Sequence, residues 1–243
     1  MSRPRIADLF CGAGGSAMGL SRAGFEIVGF DIAPQKHYPF EFHQQDALTV
    51  DLRGFDAVWS SPPCQGYSVL RNLPWLKERE YPLLILPTIR LLEHTGKPYV
   101  LENVMNVQHG AKGLAKRGLE AHGLQAGWLC GRMFNRPFCR HRLFATNWLW
   151  LAPEHPKHTI TKMSVSDRDS HHMGGHLNNG RNWGYGHQTI PGGVKTLQEA
   201  MGIDWMTRDE MTQAIPPVYS EFLGRQLMAV IEERPDEQKT PTA

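Results

Sequence analysis

Short apolar runs alternate with glycine-led polar segments through the first hundred residues. "RIADLF" and "FEIVGF" have the composition of buried strands, and "GGSAMGLSRAG" between them is typical of a helix. The runs "FDAVWSS" and "PYVLENV" predict two more strands, with a helix between them over "YPLLILPTIRLLEHTG" that ends at Gly96. This alternation predicts a doubly wound α/β domain on a mostly parallel sheet.

The pattern changes twice in the second half of the chain. A helix over "AKGLAKRGLEAHG" is followed by two strands, "GWLCGRMF" and "RHRLFATNWLW", which we expect to be antiparallel to each other. Residues 146–190 then show no helical or strand period and are rich in Gly, Asn and His. Helical periodicity returns in "KTLQEAMGI" and behind Pro216 and Pro217, where one helix face carries Phe222, Leu223, Leu227, Val230 and Ile231.

These changes divide the chain into four segments. We expect a core over 1–145, a short loop-rich insertion over 146–190, core-completing helices over 191–233 and a flexible polar tail over 234–243. A chain of 243 residues has room for one main hydrophobic core with such an insertion.

Charge and cysteine usage exclude some classes of function and name no partner. The formal charge is +2, but the stretch from Lys112 to Arg142 contains seven basic residues and one acidic residue. This composition fits either a solvated helix face or a phosphate-contacting surface. Four cysteines without a CxxC pair, and no signal-type segment, predict a reducing, cytoplasmic compartment. No apolar stretch is long enough to span a bilayer, so we expect no membrane association.

The histidines raise the question of a metal site. Half of the twelve histidines lie in the insertion, and their spacing matches no familiar zinc pattern. Cys130 and Cys139 are interpreted as buried small side chains. The sequence therefore favours hydrogen-bonding loop residues over metal ligands, and we expect no metal. The six insertion histidines are His155, His158, His171, His172, His176 and His187.

A glycine-rich turn follows the first predicted strand. "DLFCGAGGSAMG" places Gly12, Gly14 and Gly15 before a helix N-terminus, where missing side chains let a ligand approach backbone N–H groups. Asp31 ends the second strand, where a ribose-binding carboxylate is expected. Gly12, Gly14 and Ala17 also satisfy the G-x-G-x-x-A dinucleotide fingerprint. The turn predicts a nucleotide-like cofactor but leaves NAD and S-adenosylmethionine both open.

A cysteine stands behind two prolines in "SSPPCQGYS". Pro62 and Pro63 stiffen the backbone at the ligand edge of the sheet, which would present the Cys64 thiol to the crevice. Hydride transfer has no use for a thiol, whereas activation of a pyrimidine carbon requires such a nucleophile. An inert buried cysteine is the alternative. Glu102 and Asn103 should emerge at the same edge, as a proton donor or as a solvated strand end.

Six blocks in order carry a family resemblance: "DLFCGAGG", "SPPCQGYS", "LENV", "RHRLF", "LQEAMG" and "QAIPPVYSEFLG". Over nearly its whole length the chain resembles the DNA cytosine-C5 methyltransferases. The resemblance implies a Rossmann-like methyltransferase sheet, S-adenosylmethionine as cofactor and double-stranded DNA as partner. It also implies that 1–145 form the cofactor-binding catalytic core and that 146–190 form the target-recognition insertion.

The resemblance further implies a role for individual residues. Cys64 would add to C6 of a flipped-out cytosine, Glu102 would bind the base edge and protonate N3, and Arg140 and Arg142 would act with them as catalytic residues. The implied cofactor residues are Phe10, Gly12, Gly14, Gly15, Asp31, Ile32, Asp46, Ala47, Pro62, Gln213 and Ala214. The implied substrate residues are Pro63, Gln65, Ser68, Asn103 and Arg140.

The chain departs from the family pattern at a few positions. Phe138 stands where the family usually has Gln, and Thr212 and Gln213 replace the Gly and Asn of a "GNAV"-type block. The short insertion predicts a target of a few bases, as in a phage-type or solitary enzyme working as a monomer without an obligatory protein partner. Two alternatives stay open: a tRNA cytosine-C5 methyltransferase, and a non-catalytic module that binds DNA or the cofactor.

Overall fold

The computed structural model describes residues 2–65, 67, 80–104, 119, 121–157, 161–164, 186–189 and 193–234. Its seven main strands are β1 (Arg5–Leu9), β2 (Glu26–Asp31), β3 (Glu41–Gln44), β4 (Ala57–Ser60), β5 (Tyr99–Asn103), β6 (Gln125–Leu129) and β7 (Arg142–Thr146). They form one sheet in the order β3-β2-β1-β4-β5-β7-β6. β1 to β5 pair in parallel, and β7 is antiparallel to both β5 and β6. The doubly wound, mostly parallel sheet is therefore confirmed, as is the antiparallel pair.

Five helices accompany the sheet in the described residues: α1 (Gly15–Ala23), α2 (Ile85–His94), α3 (Gly193–Met201), α4 (Arg208–Gln213) and α5 (Pro217–Glu232). α1 lies between two glycines in the left-handed conformation, Gly14 and Gly24, with φ of 86° and 110°. α4 begins with a capping box in which Thr207 and Glu210 satisfy each other's backbone N–H groups. α5 begins with Pro217 in its first turn.

Two apolar clusters cover the two faces of the sheet. In β4, Trp59 belongs to one cluster and Val58 to the other, because alternate residues of a strand point to opposite faces. α1 and α5 pack in the first cluster, and α2 packs in the second. Leu223 and Leu227 of α5 are fully buried, which confirms the prediction of a final helix packed on the core.

The structure corrects one predicted strand. "GWLCGRMF" contributes only its first three residues to β6, and Gly131–Phe134 form a 3-10 turn that ends at Asn135 with φ of 55°. A Cβ on Gly131 would lie 2.5 Å from the Phe138 carbonyl oxygen, so the chain turns where only glycine admits this close approach.

The insertion contains strand structure that the sequence did not predict. β8 (Thr161–Ser164) and β9 (Gly186–Thr189) pair in parallel, with Thr161 opposite Gly186. The rest of 158–190, most of the helix expected over 111–123 and the tail beyond 234 lie outside the described residues, so the segment boundaries stay predictions. Within the described part of the chain, no helix is long and apolar enough to cross a membrane.

Candidate active site at the carboxyl edge of the sheet

The turn between β1 and α1 has an unusual backbone. Phe10, Gly12 and Gly14 all adopt positive φ, at 57°, 49° and 86°. The Gly12 N–H donates to Asp31 Oδ2 at 3.0 Å, and the Ala33 N–H donates to Asp31 Oδ1 at 3.0 Å. The Asp31 carboxylate therefore joins the glycine turn to the end of β2.

The three glycines of this turn have different surroundings. A Cβ on Gly12 would meet no atom within 4 Å, so open space lies beside its backbone. A Cβ on Gly14 would lie 2.8 Å from Pro39 Cδ, and one on Gly15 would lie 2.4 Å from the Ile215 carbonyl oxygen. Of the three, Gly12 has open space beside its backbone, whereas Gly14 and Gly15 allow neighbouring parts of the chain to pack closely against the turn.

Buried polar contacts support the turn from below. The Ser16 hydroxyl donates to Asp8 Oδ2 at 3.1 Å, and the Tyr38 hydroxyl donates to the same oxygen at 3.3 Å. Burial raises the pKa of Asp8 to about 8. Trp205, in the C-terminal part of the chain, donates through its Nε1 to the Ala13 carbonyl at a distance of 2.9 Å. The sequence analysis missed these residues, although an acid within the apolar run "RIADLF" was an available signal for Asp8.

The remaining predicted cofactor residues take several positions. Ile32 follows Asp31 and is 71% exposed, which is unusual for a large apolar side chain. Asp46 caps a 3-10 turn by accepting from the Leu48 N–H at 3.0 Å, and Ala47 behind it is buried. Ala214 lies against the glycine turn, 3.2 Å from a Cβ built on Gly15. Gln213, at the end of α4, is exposed.

The loop after β4 carries the predicted nucleophile. The Asn103 amide donates to the Pro62 carbonyl at 2.9 Å and ties this loop to the end of β5. Asn103 is 1% exposed, and its Oδ1 accepts from the Val104 N–H at 3.0 Å. Both of its polar atoms therefore hold the chain, so Asn103 positions the loop. The Cys64 carbonyl accepts from the Tyr67 N–H at 3.0 Å, and the Cys64 side chain is half-buried.

A carboxylate and a guanidinium pair beside this loop. Glu102 is 6% exposed, and Arg142 Nε lies 3.1 Å from Glu102 Oε1. The pairing follows from the antiparallel register of β5 and β7, in which Glu102 lies opposite Phe144. Burial raises the pKa of Glu102, and the positive charges of Arg142 and Arg140 oppose that rise.

Arg140 is held by the C-terminal helices. Its Nη1 and Nη2 donate to the carbonyls of Met211 and Thr212 at 3.3 and 2.5 Å, where the helix dipole favours a cation. The Tyr219 hydroxyl donates to the Arg140 carbonyl at 2.7 Å. Burial, with the nearby charge of Arg142, lowers the pKa of Arg140 to about 9, so the guanidinium remains protonated at neutral pH. Tyr219 is a further residue that the sequence analysis did not assign to the site.

The four predicted catalytic side chains lie within electrostatic reach of one another. Burial raises the pKa of the Cys64 thiol above its ordinary value. The charges of Arg142 and Arg140 lower this pKa, and the charge of Glu102 raises it. Pro63 is half-buried and Gln65 is exposed in the same loop, while Ser68 lies outside the described residues.

Comparison with known proteins gives one family and several partial matches. Residues 4–121 match the family described as C-5 cytosine-specific DNA methylase. Type II methyltransferase M.XorII of Xanthomonas oryzae pv. oryzae is 31% identical over 130 residues, which cover 45% of this chain and 30% of that protein. Type II methyltransferase M1.HphI of Haemophilus parahaemolyticus is 38% identical over 81 residues, which cover 26% of this chain and 21% of that protein.

Among solved structures, the S. pombe Dnmt2 methyltransferase matches with a TM-score of 0.43 and 21% identity, over 60% of this chain and 49% of that chain. The parts of this chain that match the two type II methyltransferases span less than a third of the length of either relative. The residues matched to the family contain the glycine turn, the cysteine loop and Glu102. Residues 4–121 are therefore similar to the C-5 cytosine-specific DNA methylases, and the two type II methyltransferases match parts of the chain.

Proposed function

We propose that this protein transfers a methyl group from S-adenosylmethionine to C5 of a cytosine in double-stranded DNA. The observation that carries the proposal is the grouping of the Cys64 thiol with the Glu102–Arg142 ion pair at the sheet edge that also holds the glycine turn. A nucleophile, a buried acid and a cation at one edge are the groups that addition to a pyrimidine ring requires.

The residues near the turn fit S-adenosylmethionine. Open space beside Gly12 gives a ligand access to the backbone at the end of β1. The Asp31 carboxylate accepts two backbone N–H groups and has further lone pairs for the hydroxyl groups of a ribose. Ile32 offers an exposed apolar surface next to it, suited to an adenine ring. When bound, S-adenosylmethionine supplies an electrophilic methyl group on its sulfonium sulfur.

In the proposed reaction, the Cys64 thiolate forms a bond to C6 of the cytosine. The positive charges of Arg142 and Arg140 favour the thiolate over the thiol. Addition pushes the electron pair of the C5–C6 double bond toward C5 and N3. This makes C5 nucleophilic enough to take the methyl group.

Glu102 has the properties of the proton donor to N3. Its burial raises its pKa, so the carboxyl group holds a proton more readily than an exposed glutamate. Arg142, at 3.1 Å, orients the same carboxyl. After methylation, C5 loses its proton to solvent. The electron pair of that C–H bond restores the double bond as the Cys64 thiolate departs, and the N3 proton returns to Glu102.

The position of the target base in DNA places a requirement on the protein. C6 of a stacked cytosine is out of reach of a side chain, so the base must leave the duplex at a cost of a few kcal/mol. We assign Pro63, Gln65 and Ser68 to the pocket for the flipped base, and 146–190 to the reading of a short target. We also propose that the protein acts as a monomer in the cytoplasm.

Methyl transfer from radiolabelled S-adenosylmethionine tests the proposal. We expect label to enter double-stranded DNA as 5-methylcytosine with the wild-type protein and not with Cys64→Ser. Binding of S-adenosylmethionine to Cys64→Ser, measured by calorimetry, shows that the variant is folded. A fully active Cys64→Ser would refute the assigned roles.

The same assay separates the alternatives. With DNA and tRNA in competition, preferential labelling of tRNA would overturn the choice of substrate. Tight cofactor binding without label in either polymer would favour a non-catalytic binding module. The ion pair of Glu102 with Arg142 argues against that outcome, because a passive binding module does not need a buried acid next to a thiol.

A further inference from the structure

Three side chains of types that bind metals lie together next to β6 and β7. Their donor atoms, from Cys130, His141 and His155, all lie within 4.8 Å of one another. Cys130 is buried and both histidines are half-buried. We call these residues the Cys-His cluster. None of them is among the proposed catalytic residues.

Strand pairing explains why two of the three meet. Leu129 lies opposite Arg142 in the antiparallel ladder of β6 and β7, so Cys130 and His141 occupy the next pair of positions. Side chains opposite each other in such a ladder have Cβ atoms about 5 Å apart. His155 reaches the cluster from the beginning of the insertion. It lies 14 residues after His141 along the chain, and β7 separates the two.

An indole ring holds both imidazoles in place. The Trp128 ring lies 5.2 Å from the His141 ring and 4.6 Å from the His155 ring, centroid to centroid. The two imidazoles are 5.4 Å apart. The packing thus fixes two histidines beside a buried thiol before any ligand binds.

A second thiol adjoins the cluster. Cys139, two residues before His141, is buried, and its thiol forms a hydrogen bond with the thiol of Cys130. Two thiols and two imidazoles are the donors that tetrahedral zinc sites use, whereas magnesium and calcium require oxygen ligands.

We propose that Cys130, His141 and His155 bind one zinc ion, with Cys139 as the fourth ligand. Tetrahedral zinc, with bonds of about 2.0–2.3 Å, holds its donor atoms roughly 3.3–3.8 Å apart. A contraction of about 1 Å would bring the donor atoms of Cys130, His141 and His155 to these distances, and the Cys139 thiol, which adjoins Cys130 outside this group, would turn toward the ion. Zinc binding releases the thiol protons of both cysteines.

The site is structural. Arg140 lies between two of the ligands, Cys139 and His141, so the ion would fix the backbone that carries this guanidinium. His155 would fix the beginning of the insertion in the same way. The spacing of the four ligands along the sequence matches no known zinc motif, because they come from three separate segments that the fold brings together.

Metal analysis of the purified, untagged, reduced protein tests this site. After equilibration with zinc and removal of loose metal, elemental analysis should find about one zinc per wild-type chain. His155→Ala and Cys130→Ser should lose most of this zinc. His122→Ala is the matched control, because His122 pairs with Glu93 away from the cluster and should keep the ion.

Cobalt substitution of the wild-type protein gives a readout that no variant can confound by misfolding. Cobalt in the proposed site should show the visible bands of a tetrahedral ion and a thiolate-to-cobalt charge-transfer band in the near ultraviolet. Wild-type protein that holds no zinc and shows no such bands would overturn the proposal. Zinc retained at the wild-type level in both His155→Ala and Cys130→Ser would overturn it as well.

Discussion

At the scale of the residue, competing influences set the state of the Cys64 thiol. Burial and the Glu102 carboxylate raise its pKa, while Arg142 and Arg140 lower it. Burial is the largest of these influences, so the pKa of Cys64 lies above that of an ordinary cysteine, and each neighbouring charge should change the reactivity of the thiol in a known direction.

The pH dependence of Cys64 alkylation should report this balance. We expect a midpoint above that of an ordinary cysteine for the wild type, because burial is the largest influence on the pKa. Glu102→Gln removes a negative charge and should lower the midpoint, while Arg142→Gln removes a positive charge and should raise it. Mass spectrometry of the Cys64 peptide across a pH series measures both. Equal midpoints in the three proteins would contradict the electrostatic coupling.

The burial of Asp8 leads to a separate prediction about the stability of the folded protein. Burial raises the pKa of Asp8 from the ordinary 3.8 to about 8 in the folded protein, so unfolding releases a proton between these pH values. The free energy of unfolding should therefore be highest at low pH within this window and fall as pH rises toward 8, by on the order of a few kcal/mol. Asp8→Asn should remove most of this fall.

Urea unfolding of both proteins at about pH 5 and about pH 8 measures the difference. An equal fall in the wild type and in Asp8→Asn would show that the carboxyl group is not held neutral by burial.

At the scale of the element, the contact of α1 with α5 places the C-terminal helices against the glycine turn. A Cβ on Gly19 would lie 2.1 Å from the Pro217 carbonyl oxygen and 2.6 Å from the Glu221 backbone nitrogen. The backbones of the two helices approach here as only glycine allows.

Gly19→Ala should therefore destabilise the protein. Backbone atoms cannot yield as a flexible side chain can, so we expect a loss of about 1–3 kcal/mol despite the higher helix propensity of alanine. Gly54→Ala is the matched control, because its Cβ would meet only the end of Arg5 at 3.6 Å. Its effect should stay within about 0.5 kcal/mol. Thermal or urea unfolding measures both, and similar stabilities of the two variants would contradict the close helix contact.

The sequence predicted the elements better than the contacts between them. Apolar runs that follow a glycine or proline located β1, β2, β4 and β5, because a buried parallel strand has a strong local pattern. The edge at which Cys64 and Glu102 meet followed from strand direction. The contact of Arg140 with the Met211 carbonyl, and the approach of His155 to Cys130, join positions far apart in the chain. Such contacts have no local signal.

At the scale of the whole molecule, the C-terminal part of the described chain contacts both the glycine turn and Arg140. Trp205 donates to Ala13 in the glycine turn, and α4 binds the Arg140 guanidinium. The loop that carries Cys64 follows β4 and is held to β5 through Asn103. Loss of the C-terminal helices should therefore affect the glycine turn and the group formed by Cys64, Glu102 and the two arginines together.

Covalent trapping on DNA that contains 5-fluorocytosine tests the central claim most directly. Fluorine at C5 cannot leave as a proton does, so the proposed elimination stops with the protein bonded to C6. With S-adenosylmethionine present, we predict a stable protein–DNA adduct whose crosslinked peptide contains Cys64, and no adduct with Cys64→Ser. A wild-type protein that binds this DNA and the cofactor without forming an adduct, or an adduct at another residue, would contradict the account.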